Sequence, residues 1–213
     1  MAWTFPKIYP ILDSSFLPTD GRAEFLRRLG GELAAAGVTL IEYRNKTGAL
    51  DELIADATVL RAAMPGPNIR LVLDDRADLV AQLGFDGAHV DDGDLTPADA
   101  RKLLGPHRIV GTYGGTEALL PGILDQPADY FSIGPIGPTR IKQTTKPQIG
   151  VAGLRKMRGE AGPAPRLVAV GGVNLSNAVE LLAAGASMLA VAGAIFRAPN
   201  PAAEFRRWQT LLG

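Results

Sequence analysis

The sequence predicts an α/β protein, a (βα)8 TIM barrel forming a single domain over residues 1–213, on three observations. Strand-like and helix-patterned segments alternate eight times with no linker between them, which favours closure over an open doubly wound sheet. The runs Leu167-Val168-Ala169-Val170 and Met188-Leu189-Ala190-Val191 are continuously apolar, as in a parallel sheet covered on both faces. The joints Ala36-Gly37-Val38, Leu83-Gly84-Phe85, Pro127-Ala128-Asp129 and Ala184-Gly185-Ala186 repeat one pattern of helix end, small residue and strand.

In order along the chain, the first strand spans 7–13 and opens into the polar loop Ser14-Ser15-Phe16-Leu17-Pro18. Asp20 is placed to cap a helix whose apolar positions Phe25, Leu26, Leu29 and Leu33 fall at helical spacing, and Gly37 ends it as a C′ glycine. A second strand over 38–44 and a helix over 51–64 follow, the latter stopped by Pro65-Gly66-Pro67-Asn68. The third strand spans 69–73, a helix runs to 83, and the fourth strand spans 87–90. Thr96, Pro97 and Asp99 read as N-cap, first-turn proline and reaching acid. Strands five and six fall at 109–112 and 130–133, the stretch 167–196 supplies strands seven and eight, and 202–212 is an amphipathic closing helix.

Bulk properties narrow the function. A length of 213 residues is at the small end for barrels, which run to about 250. Zero formal net charge gives no electrostatic case for nucleic acid or an anionic membrane. The absence of Cys excludes disulfides, thiolate metal sites and a cysteine nucleophile. With neither an apolar signal core nor a run of membrane-spanning length, a cytoplasmic protein is expected; a homo-oligomer is left open.

Functional groups of a barrel stand at the C-terminal ends of its strands. Gly171-Gly172 and Gly193 follow the last two strands and leave bare backbone N–H groups near helix starts, which suits a phosphate or merely two tight turns. The second strand leaves as Glu42-Tyr43-Arg44-Asn45-Lys46, in which 42, 44 and 46 share a face. Turned into the mouth, that face puts Arg44 and Lys46 over the phosphate; the plainer alternative is a solvated strand end. Strands three and four exit on Asp74-Asp75-Arg76 and His89-Val90-Asp91-Asp92-Gly93-Asp94. Neighbouring carboxylates with cations nearby suit Mg²⁺ shared with substrate phosphates, or else capping and solvation. His89 reads as a satisfied interior histidine and His107 as a surface one. The segment 134–147, with Arg140, Lys142 and Lys146, has no apolar period and reads as a mobile lid.

Five motifs in order, Glu42-Tyr43-Arg44-Asn45-Lys46, Asp74-Asp75-Arg76, the run from Gly87 to Leu95, Asp129-Tyr130 with Gly134-Pro135-Ile136-Gly137-Pro138-Thr139, and Gly171-Gly172-Val173 with Val191-Ala192-Gly193-Ala194-Ile195, resemble those of the thiamine-phosphate synthase family. The resemblance covers nearly the whole chain. It implies a transferase that joins hydroxymethylpyrimidine diphosphate to thiazole phosphate, giving thiamine phosphate and diphosphate. By that likeness Asp75 and Asp94 hold Mg²⁺, and Arg44, Lys46 and Lys142 act on the diphosphate. Thr139, Gly172 and Gly193 take the thiazole phosphate, while Glu42, Tyr43, Asn45, Asp74, Tyr113, Arg140, Ile141, Gly171 and Ala192 complete the substrate-binding set.

The chain departs from the family pattern at specific places. Glu42, Asp74 and Asp92 stand where the pattern has neutral amides, and Ile141 and Gly193 where it has hydroxyls. Strand five exits on Thr112-Tyr113-Gly114-Gly115-Thr116, without the Ser and following His of the pattern. A thiazole tautomerase, which needs a base in the barrel, and a non-catalytic phosphate-ligand-binding barrel are the alternatives. The missing strand-five His argues against the former, and the retained pair Asp75 and Asp94 favours the synthase.

Overall fold

Eight parallel strands pair in chain order and close into a barrel in the computed structural model, which describes residues 3–46, 48–91, 93–139, 141 and 144–213. The strands are β1 (Ile8–Asp13), β2 (Leu40–Arg44), β3 (Arg70–Asp74), β4 (Gly87–Val90), β5 (Ile109–Gly115), β6 (Tyr130–Ile133), β7 (Leu167–Ala169) and β8 (Met188–Val191). Pairing of Ile8, Tyr9 and Pro10 with Leu189, Ala190 and Val191 closes the ring. The helices α1 (Arg22–Ala35), α2 (Leu50–Ala63), α3 (Pro97–Leu104), α4 (Gly150–Ala161), α5 (Ala178–Ala183), α6 (Gly193–Phe196) and α7 (Pro201–Leu212) complete the fold. Among the described residues no helix is long and apolar enough to cross a membrane.

Strand alternation separates two cores. Outward residues such as Leu12, Ile41, Leu71 and Leu73 belong to the large core beneath the helices, while Tyr9, Leu40, Val72, Ile109, Tyr130, Val168 and Met188 fill the barrel. Along each inward row the chemistry changes towards the C-terminal mouth. On β2 the row runs Leu40, Glu42, Arg44; on β3, Val72, Asp74; on β4, Gly87, His89. An apolar plug at the base therefore carries a polar upper layer, and the mouth inherits the charge.

The opposite rim is built for stability. Asp86 accepts from Leu71 N at 2.9 Å and pairs with Arg70, while Asp129 accepts from Val110 N at 2.8 Å and pairs with Arg101. Both acids directly precede a strand, which explains part of the sequence echo. Arg101 and Arg158 each tie the end of their own helix to the following joint, through the carbonyls of Gly105 and Pro127, and of Gly162 and Gly185.

Several local expectations need correction. Gly21, in the left-handed region at φ 66°, is the N-cap of α1, and Asp20 makes no cap bond. The helix expected after β3 is only a 3-10 turn, Ala77–Leu79, and the β5–β6 connection likewise holds only Ile123–Asp125. β5 runs three residues beyond Thr112 because a register shift between Tyr113 and Gly115 lets the strand continue. At Gly37 the expected C′ geometry is present: Gly37 N bonds Ala34 O at 3.0 Å and Val38 N bonds Leu33 O at 3.1 Å. Thr96 caps α3 by accepting from Asp99 N.

Candidate active site

A cavity of about 420 Å³ opens at the C-terminal mouth. Its floor is a buried chain of polar groups. Tyr9 OH donates to Glu42 Oε2 at 2.7 Å and lies 2.8 Å from Tyr130 OH, which is 3.2 Å from His89 Nδ1. His89 also stacks on Tyr130, with ring centroids 5.6 Å apart, so it is the satisfied interior histidine its position suggested. Burial, reinforced by the charge of Asp74, pushes the Glu42 carboxyl up to about 8. Burial also raises the hydroxyls of Tyr9 and Tyr130 well above their ordinary value.

The lip above β2, β3 and β4 is dense in charge. Arg44 pairs with Asp13 and lies 3.5 Å from Asp74 Oδ2 through Nε. Lys46 Nζ pairs with Asp75 and stands 3.2 Å from Asp74 Oδ2. Burial and the neighbouring Asp75 push Asp74 up to about 7. Asp75 sits at φ 65°, a left-handed geometry that Asp tolerates better than most side chains, with its N–H on His89 O at 2.8 Å. Its Oδ1 is buried with no donor facing it among the described residues. Asp94 Oδ2 accepts from Asp91 N at 2.9 Å, and desolvation together with the adjoining Asp75 raises its carboxyl to about 6.

The opposite lip is built from glycine. Gly171 and Gly172 have φ 77° and 73°, and a Cβ on Gly172 would lie 2.5 Å from Gly137 C. Only glycine fits where these two backbones pass. The Gly172 carbonyl accepts from Asn174 Nδ2 at 3.1 Å and Asn177 Nδ2 at 3.0 Å, which fixes the turn. α5 begins only at Ala178, so this turn is not at a helix start as expected, whereas Gly193 does open α6. The segment 134–137 is fastened to it by Ile136 N on Val170 O and Gly137 N on Gly171 O, both 2.9 Å. The expected lid is thus anchored at its base.

Of the residues expected in the site, Glu42, Arg44, Lys46, Asp74, Tyr113, Thr139, Ile141, Gly171, Gly172, Ala192 and Gly193 line the cavity. Tyr43 and Asn45 do not. The same alternation that turns 42, 44 and 46 inward turns these two to the helix layer, where Tyr43 OH donates to Asp56 at 2.5 Å and Asn45 Nδ2 to Glu52 at 3.0 Å. Asp75 and Asp94 stand beside the cavity rather than in its lining. Arg140, Lys142 and Asp92 lie outside the described residues. Arg76 pairs with Asp78 at 2.5 Å and so does not balance Asp74. Tyr9, Tyr130, Ser132 and Arg197 also line the cavity and were not among the expected residues. The two-residue period from Ile11 would have reached Tyr9, and that from Gly134 both Ser132 and Tyr130. Arg197 lies beyond its strand and had no such signal.

Fold and site together define a class: a (βα)8 barrel with one C-terminal cavity, cations on one lip and glycine turns on the other. Within that class, the family model for thiamine monophosphate synthase matches residues 8–195, and the chain belongs to that family. The chain is 37% identical over 201 residues to the thiamine-phosphate synthase of Koribacter versatilis, covering 94% of each. It is 34% identical over 194 residues to that of Vibrio parahaemolyticus, covering 89% of this chain and 94% of the relative. The solved thiamine phosphate pyrophosphorylase of Pyrococcus furiosus superposes with a TM-score of 0.74 at 26% identity, covering 97% of both chains. A 3-hexulose-6-phosphate synthase at 18% identity and a TM-score of 0.67 shares the fold.

Proposed function

We infer that the protein is a thiamine-phosphate synthase, joining hydroxymethylpyrimidine diphosphate to thiazole phosphate with release of diphosphate. The observation that carries this reading is one cavity with cations on one lip, glycine turns on the other and a buried polar floor between them. Two phosphorylated substrates fit such a site with their anionic ends apart and their rings together.

Arg44 and Lys46, with Lys142 of the 134–147 segment, face the diphosphate in this reading. The bond between the pyrimidine methylene carbon and the diphosphate oxygen breaks, and the diphosphate leaves with the electron pair. Fixed cations stabilise that charge more as the bond breaks than before it does. The electron-rich aminopyrimidine carries the methylene cation, and the thiazole nitrogen then forms the new C–N bond. The protein needs no nucleophile and no base, in keeping with a His89 engaged by Tyr130. Thr139 and the Gly172 and Gly193 turns hold the thiazole phosphate, and Glu42 meets the pyrimidine from the floor.

Asp75 and Asp94 fit a divalent cation. Asp75 Oδ1 is buried with no donor facing it among the described residues, and burial together with the adjoining Asp75 raises the Asp94 carboxyl, a cost that a cation relieves. Two protein carboxylates plus substrate oxygens are a normal Mg²⁺ environment. When bound there, Mg²⁺ would neutralise charge on the diphosphate. We place the reaction in the cytoplasm, the usual setting of biosynthetic transferases.

Incubation of the purified protein with both substrates and Mg²⁺, followed by mass spectrometry, tests the reading. Thiamine phosphate should form only when both substrates and the metal are present. No product under conditions where an authentic synthase turns over would overturn it.

A further inference from the structure

Arg197 stands apart among the cations lining the cavity. Arg44 and Lys46 are ion-paired, and Lys146 sits over the Tyr113 ring at 3.8 Å. Arg197 makes no ion pair or side-chain hydrogen bond with any described residue, yet it lines the cavity beside Gly193.

Its placement follows from local geometry. Arg197 is the C-cap residue of α6, and its N–H bonds Gly193 O at 3.1 Å, so it lies one helical turn beyond Gly193 on the same face. Helical side chains lean towards the N-terminus, which carries Arg197 back over Gly193. Gly193 has no side chain to intervene: a Cβ there would touch Arg197 Cδ at 3.7 Å and Nε at 3.8 Å. The guanidinium carbon lies 5.8 Å from the centroid of the Phe16 ring, which stacks on Phe196 at 5.9 Å and 26°. Two aromatic rings thus steady a planar cation without neutralising it.

We propose that Arg197 is a phosphate-binding and specificity-determining residue for the thiazole substrate, presenting its fork to the phosphomonoester at the glycine-built lip. The inference rests on the synthase reading for the identity of that substrate. A guanidinium offers paired N–H donors to phosphate oxygens, whereas the turns beside it offer single backbone groups. Ile141 approaches the same spot with a methyl group, 3.9 Å from the Gly193 Cβ position, so it supplies packing and no hydrogen bond. Arg197 is the described side chain there that supplies positive charge.

The variants Arg197→Gln, Arg197→Lys and Phe16→Leu test this by steady-state kinetics and calorimetry. In Arg197→Gln, KM for thiazole phosphate should rise about 10- to 100-fold, the worth of a charge-assisted contact, with KM for the pyrimidine diphosphate moving less than about twofold. Arg197→Lys should lose less, since it keeps the charge without the fork, and Phe16→Leu should lose about two- to fivefold. Titration with thiazole phosphate and with its unphosphorylated alcohol gives the decisive readout. Wild type should favour the phosphorylated form, Arg197→Gln should lose most of that preference, and the alcohol should bind both proteins equally. An undiminished preference, or equal losses for phosphate and alcohol, would overturn the proposal. Should wild type form no thiamine phosphate, the synthase reading fails separately. Inorganic phosphate titrated into wild type and Arg197→Gln then decides the role of Arg197: weaker binding by the variant supports it, and equal binding overturns it.

Discussion

The two lips of the cavity present charge to a ligand by opposite means. On the β2–β4 side, Arg44 and Lys46 are already matched by Asp13, Asp74 and Asp75, and anything anionic must change those partnerships to bind. On the β7–β8 side the lining holds no carboxylate among the described residues; it consists of glycine turns, small apolar residues, Asn174 and Arg197. The first lip is a balanced network whose binding strength is set by competition. The second is a preset cradle whose strength is set by geometry. Removing an acid should therefore help or harm the first lip according to whether that acid competes with the ligand or holds its metal.

The largest effect is expected from the acids assigned to the metal. Asp75→Asn combined with Asp94→Asn should lower kcat/KM by about 100-fold or more, as for loss of a charge-stabilising element of a transition state. Stability should change by less than about 1 kcal/mol, because both side chains are in loops and Asn accepts the left-handed geometry of Asp75. Paired measurement of Mg²⁺-dependent turnover and urea denaturation checks both halves. Mg²⁺-stimulated turnover near the wild-type rate would remove these carboxylates from the metal and end the contrast between the lips.

Much of this architecture was legible in the residues. Strand existence and order followed from apolar runs separated by glycine punctuation, because a parallel strand covered on both faces has little choice of composition. The facing of Glu42, Arg44 and Lys46 followed from the two-residue period, and by the same period Tyr43 and Asn45 belong outside. What the sequence hid was tertiary. The pairing of Arg44 with Asp13 joins neighbouring strands far apart in the chain, and the Tyr9–Tyr130–His89 chain joins three strands across the barrel. The helix expected after β3 is a 3-10 turn because a few apolar residues fit such a turn as well as a helix.

The floor under the charged lip should make stability fall as pH rises. Unfolded, Glu42 ionises near 4.5; folded, burial and Asp74 hold its proton up to about 8. Its contribution is fully present below about 4.5 and is lost as pH rises through about 8, because the unfolded chain releases the proton first. At about 1.4 kcal/mol per pKa unit the loss is on the order of a few kcal/mol. Glu42→Gln keeps an acceptor for Tyr9 and cannot ionise. It should match wild type near pH 4.5 and exceed it at pH 8 in denaturation midpoint. A variant no more stable than wild type at pH 8 would mean that the buried acid is balanced by its surroundings.

The smallest effect, and the sharpest test of competition on the first lip, is expected from Asp74. Its Oδ2 lies 3.2 Å from Lys46 Nζ and 3.5 Å from Arg44 Nε. Charges a few Å apart at an effective dielectric near 20 interact by about 4 kcal/mol, but most of this is offset when two paired charges are desolvated together. A net gain of about 1 kcal/mol is expected once Asp74→Asn removes one of the two carboxylates facing each cation, or about three- to tenfold tighter binding of inorganic diphosphate. The gain should shrink in high salt, which screens the competing pair and the ligand alike. Under the same titration Arg197→Gln should leave diphosphate affinity nearly unchanged, because that side chain serves the other lip. Weaker diphosphate binding by Asp74→Asn at every salt concentration would show that Asp74 positions Arg44 and Lys46 instead of competing for them. The charged lip would then be as preset as its glycine-built counterpart.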